Sequence, residues 1–278
     1  MPTLKGKTQR LGGFLMGNNK VFNLKSIVAG DIERHKYYEK VVVVPYNDGF
    51  TGERGKAIDR EKSIRQSVSR TREKIYGYIM ANEWEFWATQ TFDPEKIDRF
   101  DLDEIVKRYN RRLKYLKTKY NGLKWLIVPE QHKDGAYHLH MFMSGIPVDR
   151  MKYSGCDYYS KDNNYSRPIY NWLDTADYGF NYYLYIGDLE PLERVKMANY
   201  VVKYITKDLA TSRFNKKKYW TSKGLAEPTR SNTFTKDIDG ILIPAEIISE
   251  NTYYINNSAT GEVYNKVTDY ILFNPCPF

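Results

Sequence analysis

Two cysteines, Cys156 and Cys276, are too few and too far apart for a disulfide framework or a four-cysteine zinc site. Their scarcity fits a reducing cytoplasm. No apolar run is long enough to cross a bilayer, and the first residues lack the apolar core of a signal peptide, so no membrane is expected. No internal repeat breaks the 278 residues into equivalent modules. Histidine is almost as scarce as cysteine. There are four, and three of them, His132, His138 and His140, crowd into one short stretch.

What the chain has instead is positive charge and tyrosine. Lys and Arg number 43 against 34 acidic residues, a formal charge of +9, and 25 tyrosines bring the aromatic share to 15%. That balance suits a partner both anionic and stackable, such as single-stranded nucleic acid. Hydrophobic residues at 41% allow a substantial core, in one large domain or a core with additions.

The histidine stretch reads as a β-hairpin. Leu123 to Pro129 and Tyr137 to Ile146 are rich in strand formers, with Asp134-Gly135 as the turn between them. Side chains alternate along a strand, so His138 and His140 point the same way, with Phe142 and Ser144. Tyr137, Leu139, Met141 and Met143 take the other face, which is expected to be the core face. Two imidazoles on the non-core face can hold a divalent cation. A third ligand would come from the partner strand. A two-residue turn would put Glu130 on the wrong face. A three-residue loop, with Gly135 left-handed, pairs Glu130 with His138 and Val128 with His140, and this longer turn is expected. His132 is the rival third ligand. Two histidines and one carboxylate leave open positions, which suits catalysis better than a structural zinc.

Along the chain, residues 1–36 are polar, basic and glycine-containing, and read as a basic arm or irregular extension. Val41 to Val44 is a strand and Ile58 to Met80 a helix with Ile64, Val68, Ile75 and Ile79 on one stripe. Phe86 to Phe92 is the next strand. Asp101 to Tyr120 is a helix with Asp101 and Glu104 as its capping pair and a basic outer face. Residues 147–171 and 228–239 read as loops, Gly179 to Gly187 as a strand, and Tyr253 to Tyr264 as containing a hairpin turn. Lys216 to Trp220 is a basic-aromatic patch. The domain expectation is an extension over 1–36, a catalytic domain over 37–225 and a C-terminal extension over 226–278.

Leu192 to Leu209 reads as one helix carrying two overlapping Tyr-x-x-Lys units, Tyr200 with Lys203 and Tyr204 with Lys207. At about 100° per residue these four share a face with Lys196, opposite a stripe of Val195, Ala198, Val202, Ile205 and Leu209. A tyrosine oxygen can attack a DNA phosphate and become joined to it. Its usual pKa near 10 calls for neighbouring cations to favour the phenolate, a role open to Lys203 and Lys207. A histidine-bound metal would polarise the same phosphate.

Together these segments resemble the HUH endonucleases, and within them the rolling-circle replication initiators. His138-Leu139-His140 is similar to the histidine element, Phe86 to Phe92 to the strand before it, and Tyr200 to Lys207 to the two-tyrosine motif of single-stranded DNA phage and plasmid initiators. The resemblance spans roughly residues 86–210. It implies an α+β fold with a central antiparallel sheet, ferredoxin- or RRM-like, and flanking helices. It also implies Mg²⁺ or Mn²⁺ held by His138, His140 and Glu130, and nicking of single-stranded origin DNA through a 5′-phosphotyrosine link in a bacterial cytoplasm. Host helicase and polymerase are the implied further partners. Rival readings are a relaxase or single-strand transposase, and a non-enzymatic single-strand binding protein. The two tyrosines are expected to alternate; if one serves alone, Tyr204 is the choice, because Lys207 is nearest the centre of that face. No Walker-type segment is visible, so no fused helicase is expected.

Overall fold

A computed structural model describes residues 14–16, 19–30, 32–44, 59–160, 165–213, 216–236, 246–253 and 265–273. The chain divides into two units, Met1–Gly52 with Pro228–Phe278, and Glu53–Glu227. The first unit opens with strands β1 (Phe14–Met16), β2 (Asn19–Ala29) and β3 (Ile32–Val44). The second runs through α1 (Arg60–Ala81), β4 (Phe86–Thr91), α2 (Leu102–Lys119), β5 (Lys124–Gln131) and β6 (Tyr137–Ser144). It continues with β7 (Met151–Ser160), β8 (Tyr165–Trp172), β9 (Asn181–Tyr185), α3 (Pro191–Val202), α4 (Lys207–Ser212) and β10 (Trp220–Thr221). The chain then returns to the first unit as β11 (Thr229–Thr233), β12 (Glu246–Tyr253) and β13 (Asn265–Phe273).

The first unit is an antiparallel sheet in the order β1-β2-β3-β13-β12, with β11 also paired to β2. Val21, Phe22, Leu24, Ile27 and Ala29 of β2 and Ile32 of β3 are among its buried side chains. Within the expected arm, residues 19–29 and 32–36 are strand: their Phe, Val, Leu and Ile residues are mostly buried positions of β2 and β3, interspersed with polar ones, while residues 1–13 lie outside the described residues. Val41 to Val44 is the end of β3 and belongs to this unit, not to the second one. Residues 229–233 are strand rather than loop. Their side chains are mostly exposed, so they carry no apolar signal and are held by backbone pairing to β2. The C-terminal strands β12 and β13 pair, while the expected turn near 256–261 lies outside the described residues.

The second unit is α+β, with an antiparallel sheet in the order β10-β5-β6-β4-β9-β8-β7. Its helices form where the apolar stripes require. Ile64, Val68, Ile75 and Ile79 of α1 are all buried. Asp101 caps α2 by accepting from the backbone N–H of Asp103 and Glu104, and Leu102, Ile105, Val106, Tyr109, Leu113 and Leu116 face the sheet. Residues 147–171 are a correction. A short 3₁₀ turn leads into the β7–β8 hairpin, where exposed Tyr153, Asp157, Tyr158, Tyr159 and Ser166 side chains hide its strand character.

One expectation about the central strands is overturned. The histidine face of β6 is a second core layer. Phe142 on that face is 1% exposed, packed between Trp84 and Trp87 at ring distances of 5.9 and 5.1 Å. The other face is covered by α2, where the Tyr109 hydroxyl donates to Gln90 Oε1 and its ring meets Phe92 edge-on. A strand buried on both faces loses its polar alternation.

Gly179 fixes the end of β4 against the 3₁₀ turn before β9. Its φ is +135°, and an added Cβ would lie 2.5 Å from the Thr91 carbonyl oxygen and 2.7 Å from the Asp93 nitrogen. Gly179→Ala therefore meets both backbone strain and a rigid backbone neighbour. We expect a loss of about 2 kcal/mol or more and a thermal midpoint lower by roughly 4–8 °C. Calorimetry of the purified chain checks this; an unchanged midpoint would mean the turn moves freely away from Thr91.

Candidate active site

The hairpin of β5 and β6 adopts the longer turn. His132 N–H donates to Ala136 O and Gly135 N–H to His132 O, both at 2.9 Å, and Gly135 has φ +91°. The three residues 133–135 form the loop, and Asp134 Oδ1 accepts from Ala136 N–H. Glu130 consequently lies opposite His138 and Val128 opposite His140, the register read from the sequence.

On that frame Glu130, His132, His138 and His140 come together. Glu130 Oε2 is 2.7 Å from His140 Nε2 and 3.5 Å from His132 Nε2. The His132 and His138 rings stack at 3.8 Å. Behind the two strand histidines stand threonines of β4: Thr89 Oγ1 is 3.0 Å from His140 Nδ1, and Thr91 Oγ1 is 3.4 Å from His138 Nδ1. With Glu130 accepting from Nε2–H, the His140 Nδ1 is left to accept from the Thr89 hydroxyl. Each donor is thus engaged with another. Among the described residues, no three His, Cys, Asp or Glu side chains stand as a ready-made cation cage.

Burial lowers the His140 pKa, against the opposing pull of Glu130, and burial followed by repulsion from His132 and His140 lowers that of His138. Both imidazoles are therefore biased to the neutral form, the one able to donate a lone pair.

The tyrosine segment departs from the expected helix. α3 stops at Val202, and a turn follows in which Lys203, Tyr204 and Ile205 N–H donate three residues back, to Tyr200, Val201 and Val202. Thr206 then caps α4 by accepting from Leu209 N–H at 3.1 Å, and Arg72 Nε of α1 donates to the Ile205 carbonyl at 2.9 Å. The tightened winding breaks the wheel that grouped the tyrosines with Lys203 and Lys207. Val201 rather than Val202 is buried alongside Val195 and Ala198. Lys203 is the exposed C-cap of α3, and Lys207 opens α4, its side chain outside the described residues.

The turn instead lays Tyr204 flat on His140, ring centroids 4.3 Å apart and 8° from parallel, while Trp87 lies parallel to the same imidazole at 5.1 Å. Tyr200, 52% exposed, meets Tyr204 edge-on at 5.3 Å. Burial raises the Tyr204 pKa above the usual phenol value, and the hydrogen bond with Tyr200 and the charge of Glu130 push the same way. A cleft of about 590 Å³ opens beside the stack, lined by Thr89, His140, Tyr200 and Tyr204 and also by Arg167, Tyr182 and Lys196. Arg167 and Tyr158 of the β7–β8 hairpin were missed as site residues because that stretch reads as loop. The Tyr158↔Arg167 cross-strand pair, in a run of alternating Tyr and polar residues, is the signal that was there.

Residues 85–209 match the family model of the replication-associated protein ORF2/G2P. That span begins just before β4, ends within α4 and includes all the clustered residues named above. No curated protein matches the chain, and no solved structure matches it. The matched residues make up somewhat under half of the chain. No helix among the described residues is long and apolar enough to cross a membrane.

The Tyr204 ring is part of the packing around His140. Tyr204→Phe keeps the stack on His140 and should cost no more than about 1 kcal/mol, whereas Tyr204→Ala should cost roughly 2–4 kcal/mol. Because the folded phenol titrates above the unfolded one, its contribution is whole below pH about 10 and is lost as pH rises further. The thermal midpoint of Tyr204→Phe should therefore fall less than that of the parent between pH about 9 and about 11. Equal alkaline slopes would contradict the raised pKa.

Proposed function

We propose that the cleft nicks single-stranded DNA by tyrosine attack at a replication origin, with Glu130, His138 and His140 holding a divalent cation, Mg²⁺ or Mn²⁺. The observation that carries this reading is the stack of Tyr204 on His140 with Glu130 at 2.7 Å from the same imidazole. It sets a candidate nucleophile on the face of a candidate nitrogen ligand at the cleft, with a carboxylate in hydrogen-bond reach of the same imidazole.

The donor set fits a cation of this kind. Two imidazoles whose Nδ1 atoms meet threonine hydroxyls, plus one carboxylate, are ligands with their orienting partners in place. With His140 Nε2 as a metal ligand, the ring N–H would be at Nδ1 and would donate a hydrogen bond to Thr89 Oγ1. The bound cation would supply Lewis-acid polarisation of the scissile phosphate. The chain's own groups do the rest. A tyrosine oxygen forms a bond to phosphorus, the bond from phosphorus to the 3′ oxygen breaks, the phenol proton leaves and the 3′ oxygen takes one up. The 5′ end stays on the protein as a phosphotyrosine, and reversal rejoins strands without a nucleotide cofactor. Lys196 adds positive charge at the cleft, and Tyr182 offers a surface for bases to stack on.

Tyr200 is proposed as the first nucleophile and Tyr204 as the second. Support for that order is the exposure of Tyr200 and the burial that holds Tyr204 in its protonated form.

Incubation with single-stranded origin DNA and Mn²⁺, followed by a denaturing gel, should show a covalent adduct that maps to Tyr200. Tyr200→Phe should lose most of the first adduct, Tyr204→Phe should keep it but fail at a second transfer, and the double variant should be inert. An adduct on a tyrosine outside residues 200–204 would overturn the assignment. His138→Ala and His140→Ala should abolish cleavage while keeping most DNA affinity, which rests on phosphate contacts. Glu130→Ala should weaken metal binding more than His132→Ala, and Thr89→Val should weaken it by about 10- to 100-fold. Calorimetric titration with Mn²⁺ reads these directly; the reverse order for Glu130 and His132 would exchange their roles.

A further inference from the structure

On the side of the sheet away from the histidines, α2 together with Arg213 and residues 216–220 encloses a groove of about 610 Å³. Six cations line it against one carboxylate. That carboxylate, Asp103, is already committed: its oxygens accept from Arg213 at 2.8 Å and Lys216 at 2.9 Å, which ties both to the start of α2. Lys107, Arg111 and Lys114 project from α2 into the same groove, and Lys217 faces them from the opposite wall. Among the described residues these four have no carboxylate within ion-pair distance, and all four are exposed.

A basic helix face is ordinarily a solvated one. Here a second segment, pinned by Asp103 and carrying further cations, makes the face concave and concentrates the field. Along α2 the charges at 107, 111 and 114 run for about 10 Å at 1.5 Å per residue, a row that can follow a phosphate backbone. The groove offers little for bases. Its aromatic, Trp220, is half-buried, and Arg213 lies over its ring at 5.4 Å. Single-strand sites need open stacking surfaces, and those are in the Tyr-lined cleft on the other face.

We infer that this groove is a second DNA-binding site, one that grips the phosphate backbone of double-stranded DNA while the histidine face handles the single strand. The inference rests on the reading of the chain as a DNA-handling protein, but not on nicking.

The test compares Lys107→Ala/Arg111→Ala/Lys114→Ala with the parent, and with a charge-matched control, Lys62→Ala/Lys152→Ala/Lys223→Ala. The probes are a blunt duplex of mixed sequence and a single strand, each titrated by fluorescence anisotropy over a salt series. The groove variant should bind the duplex at least tenfold more weakly, with the log–log salt slope shallower by about 2–3, near 0.9 for each phosphate no longer neutralised. Its single-strand affinity, Mn²⁺-dependent adduct yield and thermal midpoint should match the parent, and the control should bind duplex like the parent. Unchanged duplex affinity, or an equal loss on both probes or in the control, overturns the groove. If the parent forms no adduct, nicking fails, while the duplex comparison still decides this site.

Discussion

The site depends on the register of one hairpin. Glu130 meets His140 because the turn at 133–135 has three residues rather than two. Moving the register by one residue would turn every side chain of β5 to the other face, since the strand period is two. Glu130 would then leave the histidines for the α2 side. Gly135 permits the longer turn, as its φ of +91° is one a side chain rarely tolerates. His132, carried by the same turn, then lies over His138. A single backbone conformation therefore sets the relations among four side chains.

The second constraint is the early end of α3. In a continuous helix Tyr204 would stand one turn above Tyr200, pointing along the same face. Three successive backbone bonds of the tighter kind, from Lys203, Tyr204 and Ile205, close the helix instead, and the Thr206 cap starts the next one. Arg72 reaches across from α1 to hold the Ile205 carbonyl left outside both helices. The result brings the Tyr204 ring onto the imidazole. Burial against the imidazole, then the hydrogen bond with Tyr200 and the charge of Glu130, disfavour its ionisation, so its pKa rises although lysines lie nearby in sequence.

These two features differ in how far they can be read from residues. The hairpin is local, and its alternation, its Asp-Gly signal and the need for Glu130 to face His138 converge on one register. The helix break is not local. Tyr200 to Lys207 holds no glycine or proline, so nothing in its composition interrupts the helical period; Thr206 as a cap and Arg72 as a distant partner decide it. The burial of the histidine face was hidden for a related reason. Periodicity shows which residues share a face, but not whether helices cover it, and Phe142 is the residue whose 1% exposure reveals the cover. The β7–β8 hairpin and β11 stayed hidden because backbone pairing holds strands whose side chains remain in water.

Covering both faces of the sheet also separates two kinds of surface. Helix α2 buries the apolar side chains of its inner stripe and so must present its lysines and arginines outward. On the other face, α3 and the turn after it bring tyrosines to the histidines, and cation density there is lower. Aromatic rings suit unstacked bases; a row of unpaired cations suits a regular phosphate backbone. A chain with 25 tyrosines and a formal charge of +9 could have spread both evenly over its surface. In the second unit the apolar stripe of α2 keeps them apart, because the residues that anchor the helix leave its charged face only one direction to point.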